Sequence, residues 1–164
     1  MLEVSDSDLR LLEEFQLKWR WTDAKWNKLP PTIIQQINPL AKEKASEIVK
    51  IHNQYFLADG LDSESFEEIK SIKADTTDSS AIQNRLKNKV FDESLLIVVS
   101  WTEDLAVRTT WSTFCDYWDD FCYPASDDVS ISPIDLSWLL FYHHEEYFDF
   151  GKVKGVSLIN VKNF

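Results

Sequence analysis

Residues Leu95-Leu96-Ile97-Val98-Val99 form an unbroken apolar run, three of them β-branched, ending at Trp101. Such a run marks a strand covered on both faces. A second run over 137–143 is apolar on both faces through Leu140-Phe141. It predicts another strand, which His144-Glu145-Glu146 can turn into a return strand over 147–152. Val129-Ser130-Ile131 predicts a short strand ahead of them. Pro133 argues that this one lies at an edge, because proline cannot donate to a ladder. Residues 156–161 suit one more strand.

Elsewhere the spacing is helical. Leu9, Leu12, Phe15 and Trp19 fall three to four apart behind a Ser5-x-x-Asp8 capping pattern. Asn38 as N-cap and Pro39 at the first helical position predict the clearest helix. Its stripe is Ala41, Ala45, Ile48, His52, Tyr55 and Phe56, and Asp59-Gly60 ends it. His52, within the stripe, reads as a packed or edge histidine and not a ligand. Phe66, Ile69 and Ile72 predict a short helix and 81–90 another, with a loop at 75–80 between them. Over 107–122, at ~100° per residue, Val107, Trp111, Phe114, Cys115, Trp118, Phe121 and Cys122 share one arc. Thr113, Asp116 and Asp120 lie opposite, Tyr117 and Asp119 on the flanks, and Tyr123-Pro124 ends the helix. The pattern predicts one α+β domain over 1–164. Its N-terminal helices (1–93) are followed by a small, mainly antiparallel sheet (94–164), packed by the helix at about 107–122.

Composition agrees with a globular chain: 164 residues, 44% apolar and 13% aromatic. No stretch approaches the roughly 20 apolar residues of a membrane span. The start, Met1-Leu2-Glu3-Val4-Ser5-Asp6, lacks the basic and apolar segments of a secretory signal, so a cytoplasmic location is expected. Cys115 and Cys122, about two helical turns or on the order of 10 Å apart, are too distant for a disulfide and read as small buried apolar residues.

Charge changes the picture more. The net charge of −11 speaks against nucleic acid or an anionic membrane as ligand. It is also unevenly placed. Residues 1–50 hold eight acids and eight bases, whereas 101–150 hold eleven acids, one base (Arg108) and thirteen of the twenty-two aromatics. Carboxylates among stiff rings suit the grip of a cationic partner. Trp111, Phe114, Trp118, Trp138 and Phe141 go to the core. The candidate partner-binding residues are then Asp116, Tyr117, Asp119, Asp120, Tyr123, Asp127, Asp128, Glu145 and Glu146, with the two tyrosines as anchors. Lys18, Arg20, Lys25 and Lys28 interleave with Trp19, Trp21 and Trp26, but their block is neutral. In isolation they suggest nucleic acid, but in a neutral block they read as a short helix with solvated lysines around buried tryptophans.

Chemistry finds less support. His143-His144-Glu145-Glu146 are metal-ligand residue types, and Asp127 or Asp128 as a third ligand would give a metal-dependent hydrolase. Neighbouring strand residues point to opposite faces, however, and no H-E-x-x-H spacing occurs. Asp119-Asp120 and Asp127-Asp128 lack the alternation and glycine of a calcium loop. Neither cysteine has a basic activator, and neither a nucleophile elbow nor a phosphate-binding glycine motif is present. No catalytic residue, metal or cofactor is assigned. An acidic adaptor domain is the remaining alternative.

The stretch Trp111-x-x-Phe114-x-x-Tyr117-Trp118-Asp119-Asp120-Phe121-Cys122-Tyr123-Pro124, followed by Ser126-Asp127-Asp128-Val129, resembles small bacterial immunity proteins of polymorphic or contact-dependent toxin systems. The resemblance covers residues 95–152, with only a general helical likeness before them. It implies a cytoplasmic, non-enzymatic protein that binds and blocks one cognate toxin domain, often a nuclease. It carries over no catalytic residue.

Overall fold

In the computed structural model, which describes residues 1–58, 60–90 and 92–156, the chain begins with short turns instead of one long helix. Asp8 accepts from the amide and hydroxyl of Ser5, both at 2.7 Å, but the 3-10 turn so capped spans only Asp6–Asp8. Leu12–Glu14 is a second such turn, and α1 (Trp19–Thr22) and α2 (Pro31–Ile34) are single helical turns. Asn38 and Pro39 do not start the next helix. They form β1 (Asn38–Pro39), antiparallel to Arg108 and Val107. The fully buried Leu40 continues the pairing, its amide donating to the Ala106 carbonyl at 2.9 Å. Helix α3 (Lys42–His52) therefore starts behind Ala41 and ends earlier than expected, in a 3-10 turn at Asn53–Tyr55. Its stripe packs as the spacing predicts: Ala45 and Ile48 meet Leu40, Val98, Ala106 and Leu136. The expected stop at Asp59 lies outside the described residues; Gly60 belongs to a two-stranded ribbon, β2 (Phe56–Leu57) with β3 (Gly60–Leu61).

The short helix expected at Phe66, Ile69 and Ile72 is an eight-residue strand, β4 (Phe66–Lys73). An irregularity in its register between Phe66 and Ile69 explains the misreading. It keeps both residues against Leu139 and Val153, while Ile72 packs on the opposite core, so three-residue spacing arises without a helix. Helix α4 (Ser79–Lys87) follows, capped by Asp78. The apolar run forms β5 (Leu96–Thr102), which continues past Trp101 into a hairpin with β6 (Leu105–Thr110). Residues 107–110, placed by their spacing in a helix, are thus strand, with Val107 opposite Val99. The helix begins at α5 (Trp111–Asp116), capped by Thr110, breaks at Tyr117, and resumes as α6 (Trp118–Phe121).

Three strands complete the sheet: β7 (Val129–Pro133), β8 (Trp138–His143) and β9 (Tyr147–Val153). The seven-stranded antiparallel order is β1-β6-β5-β7-β8-β9-β4, which makes β7 central, not an edge. Pro133 is its last residue, opposite Ile97, so the missing donor falls at the end of the ladder. The further strand expected at 156–161 lies outside the described residues, apart from Val156, which is in no strand.

The two faces of the sheet differ. One carries Ile97, Val99, Val107, Ile131, Leu140, Tyr142 and Phe148 and is sealed by the N-terminal turns, α4, α5 and α6. Trp111 meets Trp138 edge-on at 5.2 Å between ring centroids, and Trp118 meets Phe148 at 5.7 Å. Cys115 and Cys122 are buried there, unbridged, and burial pushes both thiols up. The other face carries α3 and the β2–β3 ribbon, which leave part of it open. No helix among the described residues is long and apolar enough to cross a membrane.

Candidate functional site

The break at Tyr117 resets the helical phase, and with it the fate of the expected outer row of carboxylates. Asp116 stays near the surface but is engaged by Lys87 Nζ and Gln83 Nε2, both at 2.5 Å. Asp119 accepts from the Ser79 hydroxyl at 2.8 Å. Asp120, expected outside, is only 7% exposed and accepts from Asn27 Nδ2 at 2.7 Å. Burial raises its carboxyl to about 6. Asp127, expected on an acidic loop, is 8% exposed and held by both guanidinium arms of Arg20 at 2.5 and 3.1 Å. It also accepts from the Tyr123 amide at 2.9 Å. Arg20, one of the bases interleaved with the tryptophans, is buried, its charge-assisted fork tying the first helical turn to the 123–128 loop.

Of the expected anchors, Tyr117 is half-buried and packed on the core. Tyr123 lies beneath the Arg20 guanidinium, 4.2 Å from its centroid, and its ring is 5.7 Å from Trp19 and 6.1 Å from Trp26. Trp26 is half exposed, so the three rings form a surface patch where buried tryptophans were expected; only Trp21 of that set is buried.

The remaining carboxylates face the open side of the sheet. Between α3, the ribbon and strands β5, β7 and β8 lie depressions of about 210 and 410 Å³, and a third of about 210 Å³ adjoins them between the end of β5 and Ser126–Asp128. Asp128 lines all three, and Phe56, Phe141 and Trp101 each line two, so they make one groove. Phe56 stands edge-on to Phe141 at 4.6 Å, and Tyr147 stacks on His143 at 3.9 Å. Asp128 Oδ1 accepts from the His144 amide at 3.1 Å and lies 2.9 Å from His144 Nδ1. That hydrogen bond raises the His144 imidazole above its ordinary value. Glu145 is exposed on the rim. Glu146 takes a positive φ of 63° in the β8–β9 turn, and its carbonyl accepts from the Ala74 amide at 2.8 Å. It shapes the turn more than the groove.

His52 forms part of the floor. Its Nδ1 and Nε2 lie 3.1 and 2.9 Å from the hydroxyls of Ser100 and Ser132, and burial lowers it to about 4, so the ring is neutral at pH 7. A neutral imidazole donates to one serine and accepts from the other. The packed reading of this histidine holds. At 1, 3 and 0% exposure, His52, Ser100 and Ser132 offer no reachable nucleophile. His143 pairs with Asp149 at 3.0 Å, and Asp149 in turn accepts from Ser71. The serine bonds the carboxylate and not the imidazole, which is the wrong order for nucleophilic activation. His143 and His144 thus have separate acidic partners, as strand alternation requires. Among the described residues no three His, Cys, Asp or Glu side chains come together to hold a metal.

What the groove offers chemically is negative charge beside aromatic faces. Asp128 and Glu145 line it, and no lysine or arginine does among the described residues. Asp116, Asp119, Asp120 and Asp127 are not part of it as open charges, and sequence reasoning missed Phe56, Trp101 and Tyr147 as walls. Phe141, assigned to the core by its run, is only partly buried and belongs to the groove. No protein-family model, curated protein or solved structure matches this chain.

Proposed function

We propose that this chain is a non-catalytic binding protein of the immunity type, acting in the cytoplasm, which neutralises a cognate and basic toxin domain through an acidic surface within residues 101–150. The observation that carries this reading is the groove: aromatic walls, open carboxylates and no lysine or arginine in the lining, in a chain of net charge −11. A partner of opposite charge would be steered to it, and rings that exclude water strengthen each ion pair made there. The resemblance of 111–129 to immunity proteins points the same way.

Co-expression with the products of the genes that neighbour this one tests the proposal. Growth should be restored by the wild-type chain, and the two proteins should co-elute on gel filtration. Rising salt should slow their association more than it speeds dissociation. A neighbouring gene product that neither binds nor is neutralised would overturn the reading.

A further inference from the structure

Resting on that reading, we infer that the groove around Asp128 seats an arginine side chain of the partner. Three features of the geometry point to a guanidinium. First, Asp128 is half set: His144 fixes Oδ1 through its amide and ring, while Oδ2 has no hydrogen-bond partner among the described residues and the side chain stays 53% exposed. A carboxylate so oriented offers its free edge without first having to be ordered. Second, Phe56 and Phe141 line the same depression, giving a planar cation aromatic surface to lie against. Third, the charge is uncompensated locally. The aspartates before it have internal donors, Lys87 for Asp116, Ser79 for Asp119, Asn27 for Asp120 and Arg20 for Asp127, whereas Asp128 has only a histidine and Glu145 no ion pair among the described residues. Depressions of about 210 and 410 Å³ admit a long side chain but not a helix. Arginine fits better than lysine because its fork bonds a carboxylate edge and its plane stacks on rings, while an ammonium keeps its hydration.

The probes are three short glycine-flanked peptides, acetylated and amidated, with arginine, lysine or citrulline at the centre. Amide chemical shifts of the full chain provide the readout. The arginine peptide should shift the amides of Asp128, His144 and Glu145, bind several-fold more tightly than the lysine peptide, and lose about tenfold in Asp128→Asn. Asparagine can still accept from His144, so the loop should hold, and unchanged shifts elsewhere will verify it. Citrulline, uncharged but of the same shape, should leave the groove unshifted. Absence of shifts with the arginine peptide overturns the inference. So do shifts centred on Trp26 and Tyr123, or equal binding of citrulline. The neutralisation assay separates this from the broader reading: Asp128→Asn protecting as well as wild type would remove the groove while leaving the immunity proposal standing.

Discussion

Asp127 and Asp128 are neighbours in sequence and opposites in duty. Asp127 turns inward to the guanidinium of Arg20 and is almost wholly buried, while Asp128 turns to the open side, half exposed, with one oxygen free of hydrogen bonds among the described residues. The same division runs through the acidic block. Asp116, Asp119 and Asp120 face α4 and the N-terminal turns, which supply Lys87, Ser79 and Asn27; Glu145 faces solvent at the groove. Charge density along a chain is therefore no measure of charge on its surface. Four of its eleven carboxylates fasten the first thirty residues and α4 onto the sheet, and these are not available to a partner.

The sharpest way to break the comparison is to remove the inward fastening. Arg20→Ala leaves Asp127 buried without its cation and should cost about 3–5 kcal/mol in urea unfolding. Asp128→Asn should stay within about 0.5 kcal/mol of wild type. Replacing both partners, Arg20→Met with Asp127→Leu, should recover much of the loss, because two apolar groups leave no uncompensated charge. An Arg20→Ala loss below that of an exposed pair would place Asp127 with the open acids.

The floor of the groove makes the next test. The His52 value falls from 6.5 to about 4 on folding, so the unfolded chain binds the proton more readily between those values. Its contribution is fully present above pH 6.5 and is lost as pH falls towards 4, about 3 kcal/mol in all. Urea midpoints of wild type and His52→Gln should converge over that window. Parallel curves would mean that the imidazole is not sealed beneath α3.

Asp120 has the opposite sign. Its folded value is raised from 3.8 to about 6, so its contribution is full below 3.8 and lost as pH climbs through 6. Asp120→Asn should accordingly raise stability by roughly 1–2 kcal/mol at pH 8, with the gain gone at pH 3.5. No gain at pH 8 would mean that the carboxylate is better solvated than its burial implies. For the same reason a lysine at Asp120 would test the fold and not an interface.

What the sequence disclosed and what it hid follow from contact range. The runs at 95–99 and 137–143 and the α3 stripe announce themselves locally, and each became an element of the expected type, though with shifted ends. Residues 107–110 were drawn into a helix because Val107 happens to fall on the arc of Trp111 and Phe114, and only pairing with β5 marks them as strand. β4 hid behind its register shift. The roles of the acids were hidden most deeply, since Arg20 and Asn27 lie 107 and 93 residues from the carboxylates they satisfy. No local pattern carries that information. Of the acids singled out by the sequence, Asp128 and Glu145 line the groove.

The smallest expected stability effect bears most directly on function. Glu145 is exposed at the groove rim and holds no ion pair among the described residues, so Glu145→Gln should change stability by no more than about 0.5 kcal/mol. Asp116→Asn should be similarly mild, since its bond to Lys87 is partly exposed and such pairs contribute little. The two variants remove the same single charge, and for a partner attracted only by net charge they would slow association equally. If the groove is the docking face, the loss at Glu145 should slow association with the proposed partner several-fold more than the loss at Asp116, and the gap should close at high salt. Stopped-flow rates at two ionic strengths decide it. Equal slowing would reduce the acidic block to a diffuse attractor, whereas a gap that persists at high salt would mean that Glu145 contacts the partner directly.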